Sequence, residues 1–176
     1  MTTLLGISGS LRADSTNTKL IRAAAKIFAP DTFVEGDVRL PLYDGDAEAA
    51  EGIPPAVQKL ADQIAAADAV IISTPEYNKA PPGVLKNALD WISRTKGGPW
   101  KNKPVAIMSA TAGRAGGERT QFALRLMMMP FRPNILQGPE VLVAASGEAF
   151  NDDGTLRAES YTKMLTELMD ELKARI

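Results

Sequence analysis

In the stretch Asp68-Ala-Val-Ile-Ile-Ser73 the apolar residues follow one another without alternating. A strand with one wet face alternates apolar and polar positions, whereas a strand covered on both faces does not. The run therefore predicts a central strand of a parallel sheet with helices on both sides. Leu4-Leu5-Gly6-Ile7 and Pro104 to Ser109 read the same way. Residues 33–39 fit a shorter strand, and Val141 to Ala145 a last one. Between them lie helical stripes: Leu20, Ile21, Ala24, Ile27 and Phe28; Val57, Leu60, Ala61 and Ile64; Leu85, Ala88, Leu89 and Ile92; and Tyr161, Met164, Leu165, Leu168 and Leu172. Residues 40–55 carry Pro41, Gly45, Gly52, Pro54 and Pro55 and read as loop.

Strands alternating with helices imply a parallel sheet wound with right-handed crossovers. Five strands in this length predict an α/β, flavodoxin-like three-layer sandwich. Its five-stranded parallel sheet has the order 2-1-3-4-5, and residues 1–176 form a single domain. Hydrophobic residues make up 45% and charged residues 23% of the chain, as expected of a soluble globular protein. The net charge of −1 argues against a nucleic-acid partner. The longest apolar runs fall short of a membrane span, and the amino terminus lacks the pattern of a secretory signal, so a cytoplasmic location is expected. With no cysteine and no histidine, the chain has no disulfide, no thiolate or imidazole metal ligand and no Ser-His-Asp triad. Any catalysis must come from a bound cofactor or from carboxylate, tyrosine or lysine groups.

In this topology a ligand sits beyond the carboxyl ends of strands 1, 3 and 4. The first of those loops, Gly9-Ser-Leu-Arg-Ala-Asp-Ser-Thr-Asn17, leads from a strand to a helix start. Free N–H groups and the helix dipole suit a phosphate there. Ser10, Ser15, Thr16, Asn17 and Thr18 offer hydroxyl or amide groups, and Arg12 a charge. Alone, the loop fits an ordinary helix cap as well. The second loop runs through Pro75, Glu76, Tyr77 and Asn78, where Tyr77 and Asn78 present a flat ring and an amide. The third, Ser109 to Gly117, contains Thr111, Gly113, Arg114, Gly116 and Gly117, and its small residues let a planar ligand lie against backbone N–H groups. The convergence of three such loops on one sheet edge predicts a single ligand site. Trp91 reads as packing or interface, and Met127-Met128-Met129 as core rather than a metal site.

The words GISGSLRADSTN (6–17), TPEYN (74–78), PPGVLKNALDWISR (81–94) and GPEVLVAASGEAFNDDGTL (138–156) resemble those of the NADPH-dependent FMN reductases, flavodoxin-like quinone, azo-dye and chromate reductases. The resemblance runs from about Leu4 to about Leu156. It implies FMN as cofactor and NAD(P)H as co-substrate. The FMN phosphate would lie at Ser10, Arg12, Ser15, Thr16 and Asn17, and the ring and ribityl chain against Pro75, Glu76, Tyr77 and Asn78. The segment from Thr111 through Gly113, Arg114 and Gly116 to Gly117 would follow the pyrimidine edge. No residue is assigned a catalytic step of its own and no metal is implied. The resemblance further implies a small-molecule electron acceptor and a homodimer or homotetramer, with the Leu85–Trp91 and Phe122–Phe131 helices as interface candidates. Thr16 stands where the family often has an aromatic, Lys79-Ala80-Pro81 replaces a shorter polar link, and Arg114 a small residue. Lys79 and Arg114 would then lie at the open face of the flavin, as substrate-contacting groups. The rival readings are a non-enzymatic electron carrier, for which a net charge of −1 is weakly acidic, and a flavin-dependent regulatory module.

Overall fold

The run at 69–73 lies at the centre of the sheet, with every residue of the strand buried. The structure, a computed structural model, describes residues 1–176. In chain order its strands are β1 (Thr3–Ser8), β2 (Thr32–Gly36), β3 (Ala69–Ser73), β4 (Pro104–Ala110), β5 (Asn134–Ile135) and β6 (Val141–Val143). The helices are α1 (Thr16–Phe28), α2 (Gly45–Glu51), α3 (Pro55–Ala66), α4 (Gly83–Ser93), α5 (Glu118–Met128) and α6 (Glu159–Lys173). All pairings are parallel. The order is β2-β1-β3-β4-β5, with β6 also on β4.

The two short edge strands share the fifth position. β5 pairs with the start of β4, through Pro104 and Val105, and β6 with its end, from Met108 to Ala110. After Leu136, whose N–H still donates to the Val105 carbonyl, residues 137–140 leave the ladder; they include the cis Gly138–Pro139 bond. The expected last strand is therefore the second half of an interrupted one. The expected loop at 40–55 also contains α2, a short helix with no buried residue and hence no apolar stripe to betray it.

Two apolar layers explain the unbroken strand pattern. Leu4, Ala69, Ile71, Ala106 and Met108 face α1 and α6, where they meet Leu20, Phe28, Leu165 and Leu168. Leu5, Ile7, Val70, Ile72, Val105 and Ile107 face the opposite layer and meet Val57, Leu60, Leu85, Trp91, Leu124 and Met128. Burying both faces of the sheet is the main driving force for this arrangement. No helix is long and apolar enough to cross a membrane.

Trp91 is buried. Its indole N–H donates to the Pro41 carbonyl at 2.8 Å, and its ring packs edge-on against Tyr43. The segment after β2 thus covers α4, whose Leu85, Leu89 and Ile92 are also buried within the chain. Along α5 and the residue that follows it, only part of the apolar surface is covered. Leu124 and Met128 face inward, while Phe122, Leu126 and Met129 are more than half exposed, at 54%, 68% and 67%.

Candidate functional site

The parallel register brings the carboxyl ends of β1, β3 and β4 level. Ser8 lies beside Ser73, and Ser73 beside Met108. The three loops emerge next to one another, and one buried side chain joins them. Asn17, in the first turn of α1, is 2% exposed. Its Nδ2 donates to the Ala110 carbonyl at 2.9 Å, and its Oδ1 accepts from the Ala110 N–H at 3.0 Å and from Ser73 Oγ at 2.8 Å. The carboxamide is directed into the protein, so the Asn17 side chain links β3, β4 and α1 rather than facing an anion. The sequence-based role as a side-chain donor to phosphate is corrected accordingly.

Ser15 caps α1. Its hydroxyl accepts from the N–H groups of Asn17 and Thr18 at 3.2 and 3.4 Å. It is buried, and its contribution is likewise to hold the loop. Ser10 Oγ accepts from the Arg12 N–H, and Ser8 Oγ accepts from Ser10 N–H and Thr18 Oγ1. These contacts fold the loop back on the helix start. They leave the N–H groups of Leu11, Ala13, Asp14, Ser15 and Thr16 without a partner in the protein. Unpaired N–H groups at the positive end of a helix dipole form an anion cradle. Arg12 is exposed beside it, and Lys19 pairs with Asp14 at 2.6 Å, which holds the Asp14 carboxyl below its usual range. A groove of about 260 Å³ lined by Ser10, Arg12, Asp37 and Arg39 flanks the loop on the β2 side, away from the other two loops.

In the second loop Glu76 turns towards the third. Its Oε2 accepts from the Thr120 N–H at 3.4 Å, and Arg119 approaches its Oε1 at 4.0 Å. Gly117, which precedes α5, offers no capping side chain, so Glu76 supplies the acceptor and a favourable charge at that helix end. The Pro75 carbonyl accepts from Thr74 Oγ1 and Thr120 Oγ1. The tip is a two-residue turn. Tyr77 N–H donates to the Ala80 carbonyl at 2.9 Å and Ala80 N–H to that of Tyr77 at 3.2 Å. Asn78 and Lys79 between them have φ of 52° and 67°. Tyr77 is half exposed, and Asn78 and Lys79 are exposed.

The third loop has a packed base and an open crest. A Cβ on Gly116 would lie 2.5 Å from the Leu142 carbonyl group, and one on Gly117 2.7 Å from Ser109 Cβ; both have positive φ. These two glycines are required by the fold. Ser109 Oγ donates to the Gly116 carbonyl at 2.6 Å, and the buried Gln121 donates to Ser109 Oγ and to the Val141 carbonyl. At the crest, the N–H groups of Ala112, Gly113, Arg114 and Ala115 have no partner. A Cβ on Gly113 would meet only Thr111 Oγ1, at 4.0 Å, an ordinary contact, and nothing in the fold requires glycine there.

A fourth segment joins the edge. Thr16 Oγ1 donates to Ser146 Oγ at 3.2 Å, Ser146 N–H donates to the Thr111 carbonyl, and Thr111 N–H to that of Val143. The loop after β6 thus seats the first and third loops together. The sequence reading missed it, although it follows the last strand at the same carboxyl edge and lies in the word GPEVLVAASGEAF.

Comparison with known proteins accords with this geometry. The family model described as NADPH-dependent FMN reductase matches residues 2–148. The chain is 40% identical over 172 residues to an NAD(P)H-dependent FMN reductase of Pseudomonas aeruginosa, covering 97% of this chain and 92% of that protein. It is 41% identical over 138 residues to the quinone reductase of Escherichia coli K12, covering 76% and 73% of the two chains. Among solved structures, FerB, a flavoenzyme NAD(P)H:(acceptor) oxidoreductase from Paracoccus denitrificans, superposes with a TM-score of 0.87 at 33% identity, covering 98% of this chain and 95% of that one. The chain is an oxidoreductase that belongs to the NADPH-dependent FMN reductase family.

Proposed function

We propose that the chain binds FMN at the carboxyl edge of its sheet and passes the reducing equivalents of NAD(P)H to quinones, with azo compounds, chromate and free flavin as further acceptors. The observation that carries this reading is the row of unpartnered N–H groups at Leu11 and from Ala13 to Thr16, beside Arg12. Phosphate monoesters fit such a row. The small residues of the crest around Gly113 suit a ring lying on backbone, and the crest's free N–H groups fit the polar edge of a flavin. When bound, FMN supplies the two-electron chemistry, and the protein supplies position and electrostatics.

The roles of the chain's residues follow. The start of α1 and Arg12 hold the phosphate. The half-exposed Tyr77 ring borders the open face and limits how acceptors lie on it. The N–H groups from Ala112 to Ala115 favour negative charge on a reduced ligand. Glu76 fixes the second loop against α5. In net terms NAD(P)H and one solvent proton convert a quinone to hydroquinone and leave NAD(P)⁺. Both electrons come from the dihydronicotinamide. The chain has no histidine, and the proton is assigned to water at this exposed edge.

Exposed Phe122, Leu126 and Met129 support self-association through α5 into a homodimer or homotetramer. A cytoplasmic setting, where reduced nicotinamide dinucleotides are available, belongs to the same proposal. The test is purification followed by flavin extraction and steady-state kinetics with menadione. Stoichiometric FMN and double-displacement kinetics are expected. A bound flavin that persists in a one-electron-reduced form, with negligible NAD(P)H oxidation, would identify an electron carrier instead.

A further inference from the structure

We infer that Lys79 and Arg114 form a cationic lip that reads the adenosine 2′-phosphate and makes NADPH the preferred reductant over NADH, an inference that rests on the oxidoreductase reading above. The two residues crown loops that rise from adjacent strands, β3 and β4. The loops share a rigid base. Thr120 Oγ1 donates to the Pro75 carbonyl at 3.2 Å, and Glu76 accepts from the Thr120 N–H. Both cations are exposed, and neither has a carboxylate within 4.0 Å. Of the other cations at this edge, Lys19 pairs with Asp14, Arg119 approaches Glu76, and Arg12 lies exposed beside the N–H cradle of the first loop. Glu118 and Glu148 are the exposed carboxylates on neighbouring turns, and neither makes an ion pair.

The backbone at Lys79 strengthens the case. A turn with positive φ at both central residues suits asparagine first and glycine second. Asn78 meets the first requirement, whereas Lys79 occupies the second at φ 67°. A side chain in that conformation is strained, and such departures concentrate where a side chain has work to do. Here the outlying residue carries an unpaired charge to the tip of a loop at the candidate site. Arg114 stands beside Gly113, whose open surroundings leave room for a ligand.

NADH and NADPH differ only in the 2′-phosphate, so a site separates them only through groups that meet that dianion. Arginine and lysine are the side chains suited to it. Exposed cations give modest factors, and salt weakens them.

The test compares kcat/KM for NADPH and NADH, with menadione as acceptor, in the FMN-loaded protein and in Lys79→Gly, Arg114→Ala and the double variant. Lys79→Gly suits the positive φ, and Arg114 is exposed, so both variants fold; circular dichroism and flavin content check this. The wild type is expected to favour NADPH. Each single change should lower the NADPH-to-NADH ratio about threefold and the double change about tenfold. The loss should lie mainly in KM for NADPH, and 0.5 M salt should shrink the wild-type ratio. Lys163→Ala, which removes an exposed cation on α6, should not alter the ratio. Equal use of both dinucleotides by a wild type that oxidises them, or a ratio that the double variant leaves unchanged, overturns the inference while the oxidoreductase reading stands. Absence of FMN binding and of any NAD(P)H oxidation overturns both.

Discussion

The carboxamide of Asn17 holds both backbone groups of Ala110, donating to its carbonyl at 2.9 Å and accepting from its N–H at 3.0 Å. A side chain from the first turn of α1 thus takes the place of a neighbouring strand at the end of β4. With Ser73 Oγ on the same oxygen, it fixes the spacing of the first and third loops. The geometry of the site depends on this one residue more than on any exposed one.

Replacing Asn17 with alanine leaves the Ala110 N–H, the Ala110 carbonyl and the Ser73 hydroxyl unpaired in a buried place. The expected loss of stability is about 2–4 kcal/mol, read as a lowered midpoint in urea. Asn17→Asp should lose at least as much, because a carboxylate cannot donate to the Ala110 carbonyl. In both variants FMN affinity should fall even though the side chain does not face the ligand site.

The glycines of the third loop should separate into two kinds. Gly116→Ala and Gly117→Ala place a Cβ within 2.5 and 2.7 Å of atoms of Leu142 and Ser109 at positive φ, and thermal unfolding should shift down clearly. Gly113→Ala should change stability by no more than about 0.5 kcal/mol yet weaken FMN binding, measured by fluorescence quenching on titration. Equal behaviour of all three would remove the reason for placing a ligand on the Gly113 crest.

Lys79→Gly should raise stability by about 1 kcal/mol, because glycine adopts positive φ without the penalty lysine meets. A chemical denaturation midpoint above that of the wild type is the expected result. A lower one would show that the turn is not held as described.

The pair Arg94–Glu48, at 2.9 Å, ties α2 to α4, and Tyr43 also donates to Glu48. The Arg94 hydrogen bond foremost lowers the Glu48 pKa from its usual 4.5. A carboxyl whose folded pKa lies below its unfolded one stabilises the protein above the unfolded value. That stabilisation is lost as pH falls through the folded value. The stability gap between the wild type and Glu48→Gln should therefore be widest near neutrality and shrink below about pH 4.5. Comparing urea midpoints at pH 7 and pH 3.5 tests this, and high salt should reduce the gap at pH 7.

Much of the fold was legible because burial on two faces writes itself directly into sequence. Ala69 to Ile72 and Pro104 to Ser109 show unbroken apolar runs, and the helical stripes at Leu20 and Leu85 fall where α1 and α4 form. α2 was not legible, since nothing in it is buried, and neither was β5, two residues held only by pairing with Pro104 and Val105. At the site, the loops could be placed from topology alone, but side-chain direction could not. Asn17 and Glu76 look like ligand groups in sequence, yet Asn17 turns to Ala110 and Glu76 to the start of α5. Trp91 could be assigned to packing or interface by type, but its cover of Pro41 and Tyr43 depends on a long-range return of the chain.

Flavin content and reductase activity, measured together on the purified chain, test whether the carboxyl edge of the sheet holds a working FMN. The purified chain should hold one FMN and reduce menadione with NADPH, giving parallel double-reciprocal lines. A protein that takes up no FMN when it is supplied, and oxidises neither NADPH nor NADH with menadione present, would contradict this reading.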